Sequence, residues 1–402
     1  MTTASVKAIC VRVVSRGAVG VAIALSAGIA EARAQSVNDV LSFLLTNRSI
    51  PTDDFVRDRD AADTTRATIA RVLQVEIATV PLAASASGFT YRLNRSLGIA
   101  ERSSQSFGPF FVHRSLTLGR RQVAVSIAYQ NTAFQALDGR PLRDGSLVAT
   151  ASRLATDPEP FDVETLSLRV QTRATTLSAN VGITDRLDVA LTVPFVALSL
   201  SGERVDTYRG LRFPQASASA TVSGVSDLLV RGKYNLIREG GTGVAAGAEV
   251  RLPTGDAENL LGTGHAAVAP RVMGSFEFQR FAIHGDAGYV MGGATNELDT
   301  GAAVTVAATP RLTLVGELSD RRLESLGRLA DSVLPHPSLA GVDTLRLTAS
   351  PQATHRITAT AGLKWNVAST WLLSGYVSRS LTESGLTAGW RPTVTLDYLV
   401  AR

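Results

Sequence analysis

A period of two in the placement of apolar side chains runs through most of the chain from residue 88 onward. It is clearest in residues 121–134, where one set alternates with a second set of small or polar side chains: Val123, Val125, Ile127 and Tyr129 against Ala124, Ser126, Ala128 and Gln130. In a β-strand these two sets lie on opposite faces. The alternation returns over 161–173, 227–236, 244–252, 281–291 and 394–400. The pattern predicts an all-β fold.

The length of these segments favours a membrane protein over a soluble sandwich. They run to roughly ten to fifteen residues, whereas strands of soluble sheets average about five or six and a tilted strand needs about 9 to 11 to cross a bilayer. Apart from the N-terminal stretch, no apolar run approaches the ~18 to 20 residues of a spanning helix. We therefore expect a transmembrane antiparallel up-and-down β-barrel over residues 88–402, with a short helical segment before it.

The connections between these segments alternate in length, as they do in outer-membrane barrels. Tight turns are predicted near 119–121, 184–186, 239–241, 279–280, 309–311 and 368–370. Longer polar connections are predicted near 135–160, 204–223, 255–264, 293–299, 323–353 and 382–388. Six turns would join twelve strands. The segment Phe89–Leu93 and the C-terminal strand would each add one, which raises the expected count to about fourteen. Twelve is the alternative if residues 88–95 lie outside the wall.

Residues 1–34 have the pattern of a secretory signal peptide. A basic region with Lys7, Arg12 and Arg16 precedes the apolar run of residues 17–30. Small residues at Ala32 and Ala34 predict cleavage before Gln35. The single cysteine, Cys10, lies ahead of the apolar run, so the mature chain would have neither a disulfide nor a thiol.

Residues 35–87 form a separate polar segment with two predicted helices. Ser36 can cap the first, in which Val37, Val40, Leu41 and Leu44 recur at helical spacing. The second extends over about 60–79. The segment could be a periplasmic amphipathic arm resting on the barrel, a plug entering the lumen, or a partner-binding helix.

The basic charge balance does not indicate nucleic-acid binding. The formal net charge is +5, and residues 1–34 hold four cations and one anion, so the mature chain keeps +5 − 3 = +2. It has no lysine-rich run interleaved with aromatic residues of the kind that follows a phosphate backbone.

If the apolar register faces lipid, the other register faces the lumen, because a charge on the lipid face costs about 2 to 4 kcal/mol at the midplane. The residues predicted to line the lumen are Arg169, Arg173, Arg231, Lys233, Glu249, Arg251, Arg271, Glu277, His284, Asp286, Glu317 and Lys364. They could form a selective polar pore or a set of neutralising pairs that fills the barrel.

Several short motifs resemble one family of outer-membrane transporters. They are Gly224–Leu228 followed by Lys233-Tyr234, the run Leu252–Asp256, the run Leu261–Gly264, and Gly285–Tyr289. Together they are similar to the family named for the MetA pathway of phenol degradation, with the best match over about residues 180–300. The resemblance implies an outer-membrane barrel with a transport role and carries no fixed set of functional residues. The family-like loop comprises Pro253, Thr254, Gly255, Asp256, Gly262 and Gly264.

The chemistry-bearing residues do not form an enzyme or metal motif. The family-like loop lacks the Lys-Ser/Thr of a phosphate-binding loop. The histidines have no metal-ligand spacing: His113, His265, His284, His336 and His355. His284 and Asp286 share a strand face, but no nucleophile can be placed beside them. We expect no catalysis and no cofactor.

The leading functional hypothesis is passive uptake of small solutes through the cell outer membrane, with hydrophobic or aromatic solutes implied by the resemblance. A structural or surface-interaction barrel is the alternative, and a membrane hydrolase is a third class. The expected partners are outer-membrane lipid and lipopolysaccharide, the barrel insertion machinery and an unidentified solute.

Overall fold

The computed structural model describes residues 36–45, 59–79, 88–94, 99–326, 328–336, 339–350 and 352–400. The predicted signal peptide, residues 1–34, lies outside the described residues. Two helices come first, α1 (Val37–Leu45) and α2 (Arg59–Ala78), and both match the predicted helical stretches. An isolated antiparallel pair follows, β1 (Tyr91–Asn94) and β2 (Ile99–Arg102).

The remaining strands all belong to one closed sheet. In chain order they are β3 (Val123–Leu137), β4 (Arg140–Pro141), β5 (Leu147–Leu154), β6 (Pro160–Gly182), β7 (Leu187–Tyr208), β8 (Leu211–Val225), β9 (Leu228–Glu239), β10 (Thr242–Leu252), β11 (Ala267–Phe278), β12 (Phe281–Gly292), β13 (Glu297–Thr309), β14 (Leu312–Leu323), β15 (Leu329–Pro335), β16 (Val342–Ala349), β17 (Thr354–Ala368), β18 (Trp371–Ser380), β19 (Leu386–Ala388) and β20 (Arg391–Val400).

The wall of the barrel has twelve antiparallel strands. Ten of them are β3, β6, β7, β10, β11, β12, β13, β14, β17 and β18. The eleventh is β20, which pairs with β18 and β3 and so closes the ring. Strands β8 and β9 together form the twelfth, since both pair with β7 and the break between them at Ser226-Asp227 does not reverse the chain. The all-β barrel prediction is confirmed.

The preferred count of fourteen strands is wrong, and the alternative of twelve is correct. Tyr91–Asn94 pairs with Ile99–Arg102 and not with the wall. The glycine turn at Gly119 therefore joins an internal segment to β3 and not one wall strand to another. A short run of alternating residues has the same sequence pattern in a wall strand and in an internal strand pair, so the pattern could not distinguish them.

The predicted loop at 204–223 is also wrong, because β7 and β8 continue through it as a long hairpin that turns at Arg209-Gly210. The outer face of β8 there consists of Ser217, Ser219, Thr221 and Ser223. Hydroxyl side chains on that face produce no apolar alternation, so the sequence reads as a polar connection. Strands β5, β16 and β15 extend the same sheet beyond β6.

We call the end of the barrel with the short connections the turn end, and the end with β5, β15 and β16 the loop end. Near the turn end the outward side chains include exposed aromatic residues, and the rings of Trp371 and Tyr398 lie 4.5 Å apart. Above them the outward register is aliphatic, as with Val125 and Ile127 on β3. In the described part of the chain no helix is long and apolar enough to span a bilayer. A closed barrel with an apolar outer band is the architecture of bacterial outer-membrane proteins, and this chain lies in that membrane.

The largest apolar cluster lies inside the barrel toward the loop end. It joins Leu41 and Leu44 of α1 and Leu73 of α2 to inward side chains of the wall such as Leu168 and Leu198, all fully buried. Helix α1 contacts β7 and β8, and α2 contacts β5, β16 and β19. The apolar faces of both helices are thus covered by the interior of the barrel.

Candidate functional site: the barrel lumen

Residues 103–118, which we call the luminal segment, run across the turn-end half of the lumen without regular secondary structure. A buried backbone of this kind must find hydrogen-bond partners for its N–H and C=O groups. Here the partners are mostly inward side chains of the wall strands.

Glu317 on β14 accepts hydrogen bonds from three consecutive backbone N–H groups of this segment. The bonds to Phe111 and Val112 measure 2.9 and 3.2 Å, and the third comes from Phe110. On the neighbouring wall strand, Lys364 donates to the carbonyl oxygen of Pro109 at 2.7 Å. A carboxylate and an ammonium group therefore hold one short stretch of main chain.

A second set of wall side chains holds the segment nearer its C-terminal end. Lys233 donates to the carbonyl oxygens of Leu116 and Arg114, at 2.5 and 3.4 Å. Asn235 donates to the carbonyl oxygen of Ser115 at 2.8 Å, and Asp188 accepts from the N–H of Leu118 at 2.7 Å. Charged and polar side chains that line the lumen thus bind the backbone of the luminal segment at this level.

His284 belongs to a buried hydrogen-bond chain and not to a catalytic group. Its Nδ1 lies 2.9 Å from Ser275 Oγ, and its Nε2 lies 3.3 Å from Thr305 Oγ1. Ser275 also accepts the N–H of Ser115, while Thr305 donates to Ser106 Oγ. The chain ties the luminal segment to the wall at two points.

Between the luminal segment and α2 lies a cavity of about 180 Å³. Three of its arginines form ion pairs with wall carboxylates. Arg231 lies 2.7 Å from Glu249, and Arg271 bridges Asp286 and Asp299 at 2.6 and 3.0 Å. A further pair joins Arg321 to Glu297, with one contact at 2.8 Å.

The loop-end side of this cavity is formed by α2, whose C-terminal turn is bound to wall residues. Arg356 is paired with Glu76, and Arg321 donates to Thr79 Oγ1 at 3.1 Å. Gln74 donates to the carbonyl oxygen of Gly262 at 2.9 Å. The cavity is thus bounded by α2 toward the loop end and by the luminal segment toward the turn end.

The imidazole of His113, on the luminal segment, lines this cavity. Burial and the nearby cations Arg271, Arg231 and Lys233 lower the pKa of His113 well below its usual range. The ring is therefore neutral at physiological pH.

The structure places ten of the predicted lumen residues on the inward face of the wall: Arg231, Lys233, Glu249, Arg251, Arg271, Glu277, His284, Asp286, Glu317 and Lys364. Five of them line the cavity: Arg231, Glu249, Arg251, Arg271 and Asp286. Lys233, Glu277, His284, Glu317 and Lys364 meet the luminal segment or its hydrogen-bond chain.

The prediction is wrong for Arg169 and Arg173, which are exposed on the outer face of β6. Their neighbours Leu168 and Val170 point inward and are fully buried against the cluster that contains α1. Toward the loop end the wall extends beyond the lipid band and encloses an apolar core. The apolar register there faces inward and the charged register faces outward.

Several inward polar residues were not among the predicted lumen residues: Asp188, Asn235, Glu297, Asp299, Arg321 and Arg391. Each occupies the inward register of its strand. Glu297 and Asp299 lie within the loop predicted at 293–299, and Arg391 comes directly after the loop predicted at 382–388, so no apolar alternation set a register for these residues.

The family-like loop surrounds the break in the β8–β9 strand. Asp227 is buried, and its carboxylate accepts from the N–H of Gly255 at 3.0 Å and from the N–H and hydroxyl of Thr263 at 2.8 and 2.7 Å. Thr254 accepts the N–H of Leu228 at 3.0 Å. The aspartate and the loop motif therefore form one structural unit that closes the wall where two strands are discontinuous.

Comparison with known proteins agrees with the resemblance. Residues 149–319 match the family model described as "Putative MetA-pathway of phenol degradation", which confirms the predicted resemblance and widens its range. No curated protein matches the chain significantly.

Similar solved structures include an outer membrane channel from Pseudomonas putida, which is 14% identical, with 71% of this chain and 98% of that chain covered and a TM-score of 0.48. The KdgM porin in complex with disordered oligogalacturonate is 8% identical, with coverages of 68% and 98% and a TM-score of 0.38. A Pseudomonas aeruginosa FadL homologue is 10% identical, with coverages of 70% and 89% and a TM-score of 0.33.

Proposed function

We propose that this protein is an outer-membrane channel for the passive uptake of small hydrophobic or aromatic solutes, and that α1, α2 and the luminal segment act as its plug. The observation that carries the proposal is the cavity of about 180 Å³ between α2 and the luminal segment. A cavity of about 150 Å³ can hold a benzene molecule. A solute of that size would pass in steps, as the plug elements move, and not through a permanently open pore.

The binding of the luminal segment supports a plug that can be displaced. Its main chain is held by separate side chains such as Glu317, Lys364 and Lys233, and not by a continuous strand pairing. Each such hydrogen bond contributes about 0.5 to 3 kcal/mol net, so the segment can be released locally without opening the wall.

The architecture sets the orientation that we propose. Outer-membrane barrels have short periplasmic turns and longer extracellular loops, so the turn end would face the periplasm and the loop end the exterior. We further propose that residues 1–34 direct export and are removed before Gln35. The insertion machinery would then recognise the last strand, in which Tyr398 faces outward.

The test is uptake by cells in which the outer membrane limits entry of an aromatic solute. Cells that produce the protein should accumulate labelled naphthalene faster than cells with an empty vector. In planar bilayers the purified protein should show small, brief conductance steps, because the lumen is filled at rest. Equal uptake in both strains, together with no conductance, would contradict the proposal.

The second candidate is a structural or surface-interaction barrel without transport. It is favoured by the same filled lumen and by the sheet of β5, β15 and β16, which projects at the loop end. Loss of envelope integrity in a deletion strain, with unchanged solute uptake, would support this candidate over the channel.

A further inference from the structure

Arg391 differs from the other arginines around the luminal cavity in having no carboxylate partner among the described residues. Arg231, Arg271 and Arg321 each form an ion pair with a wall carboxylate. Arg251 donates to the carbonyl oxygen of Ala78 at 3.4 Å and interacts electrostatically with Glu249.

Arg391 nevertheless lies in the interior. The residue is only 8% exposed and lines the cavity from the first position of β20. Its Nε has no hydrogen-bond partner, and its Nη2 has one long bond to Thr358 Oγ1 at 3.5 Å. A guanidinium has five N–H donors, so most of the hydrogen-bonding capacity of Arg391 is unused.

The charge balance of the cavity points in the same direction. Arg231, Arg271 and Arg321 are balanced by Glu249, Asp286, Glu297 and Asp299, and Arg251 supplies the matching cation for the fourth carboxylate. The fifth lining carboxylate, Asp320, lies on the outer face of β14 beside His355. Arg391 is therefore the remaining positive charge among the inward-facing residues of the described lining. A buried charge is costly unless it is paired, and an arginine pairs best with a carboxylate in a two-bond geometry.

The surroundings of Arg391 suit a ligand with one polar end and one apolar end. Thr358, Ser378 and Gln130 also line the cavity and can add hydroxyl and amide hydrogen bonds. Apolar lining comes from Val75 and Phe111. Ligand sites commonly combine such an apolar wall with a few convergent polar groups.

We propose that Arg391 anchors the carboxylate of a small aromatic carboxylate inside this cavity. The ring would occupy the space between Phe111 and Val75, and the carboxylate would supply the anion that Arg391 lacks. This inference rests on the proposed channel function, because the cavity would be one step of the solute's path.

The test is calorimetric titration of the folded full chain in detergent with benzoate and, separately, with the neutral benzyl alcohol. Benzoate should bind at least about tenfold more tightly than benzyl alcohol. Arg391→Gln should weaken benzoate binding about tenfold or more, as expected for a lost hydrogen bond to a charged group, and should leave benzyl alcohol binding nearly unchanged. Arg391→Lys should retain part of the preference for benzoate.

Arg379→Gln is the matched control, since Arg379 is exposed on the outer face of β18, the strand next to β20. It should bind benzoate like the wild-type protein. Heat-modified mobility in gels establishes that each variant is a folded barrel, and Arg391→Lys keeps the test valid if Arg391→Gln does not fold. Equal binding of benzoate and benzyl alcohol, or an unchanged benzoate affinity in folded Arg391→Gln, would overturn the inference.

The outcome is separable from that of the proposed function. Charge-dependent benzoate binding without solute uptake by cells would support the Arg391 site and reject the channel. Uptake of naphthalene without benzoate binding would support the channel and reject the site.

Discussion

The carboxylate of Glu317 accepts the backbone N–H of Phe111 at 2.9 Å, so a wall strand holds the luminal segment by its main chain. Glu317→Leu would remove this acceptor and leave the neighbouring N–H groups buried without partners. Each unsatisfied buried donor costs about 1 to 3 kcal/mol. We expect a loss of about 3 kcal/mol in the free energy of unfolding, faster hydrogen exchange at residues 107–113 and larger conductance steps.

The control for this variant is Asp320→Leu, three residues along β14 on its outer face, where the carboxylate of Asp320 lies 2.8 Å from His355 Nδ1. It should leave both hydrogen exchange of the luminal segment and conductance close to wild type. Slow exchange at 107–113 in Glu317→Leu would show that other contacts hold the segment.

Gly262 marks the position where the family-like loop approaches its own chain most closely. A Cβ atom there would lie 2.6 Å from backbone atoms of Gly255 and 2.7 Å from Asp227 Oδ1. We expect Gly262→Ala to separate the loop from Asp227, to lower the thermal midpoint by several degrees and to speed exchange at Thr263. Differential scanning calorimetry and hydrogen exchange measure both effects.

Gly232→Ala is the comparison for that change, because a Cβ at Gly232 meets nothing within 4 Å on the outer face of β9. Its thermal midpoint should equal or slightly exceed that of the wild type, since alanine restricts the unfolded chain more than glycine does. Two variants with equal midpoints would mean that the loop adjusts without cost.

The lowered pKa of His113 predicts a loss of stability in acid. The unfolded chain takes up a proton as pH falls below about 6.5, whereas the buried imidazole stays neutral, so the unfolded state binds more protons there. Stability is therefore full above about pH 6.5 and decreases below it. In urea titrations, His113→Gln should lose about 1 kcal/mol less than the wild type between pH 7.5 and 5.5.

Replacing His265, which is exposed in the family-like loop region, serves as the control for this pH effect. His265→Gln should follow the wild-type dependence of the unfolding free energy on pH. If His113→Gln also follows it, the imidazole of His113 takes up its proton as readily in the folded protein as in the unfolded one.

The outward position of Arg169 can be tested by chemical labelling, since Cys10 is the only cysteine of the sequence and lies in the predicted signal peptide. With a membrane-impermeant maleimide on intact cells, Arg169→Cys should react readily. Val170→Cys should not react, because Val170 is fully buried. The reverse pattern would restore the original prediction that Arg169 faces the lumen.

The sequence predicts the wall well where the strands cross lipid, because lipid outside and a polar interior impose opposite demands on alternate residues. Strand β3 and strand β12 both follow their predicted alternation. Beyond the lipid band the demand changes. The interior becomes apolar, as at Leu168, and the exterior becomes polar, as at Arg169, so the same alternation has the opposite meaning.

The luminal site could be predicted only in part for a different reason. The inward register identifies Lys233 and Glu317 as lumen residues, but their partners come from a segment without any periodic pattern. Pairing between a wall side chain and a distant carbonyl or N–H group depends on tertiary position alone. No spacing in the sequence encodes it.

The contact between the wall and the luminal segment has a further consequence, because mutations on its two sides have unequal effects. Glu317, Lys364 and Asn235 bind main-chain atoms, and every residue type except proline carries both the N–H and the C=O group. Substitutions in the luminal segment can therefore alter its side chains and keep these hydrogen bonds, whereas each substitution of a wall residue deletes one. The wall is accordingly the side whose sequence is constrained, and the luminal segment is the side whose surface toward the cavity can change while its main chain stays bound to the wall.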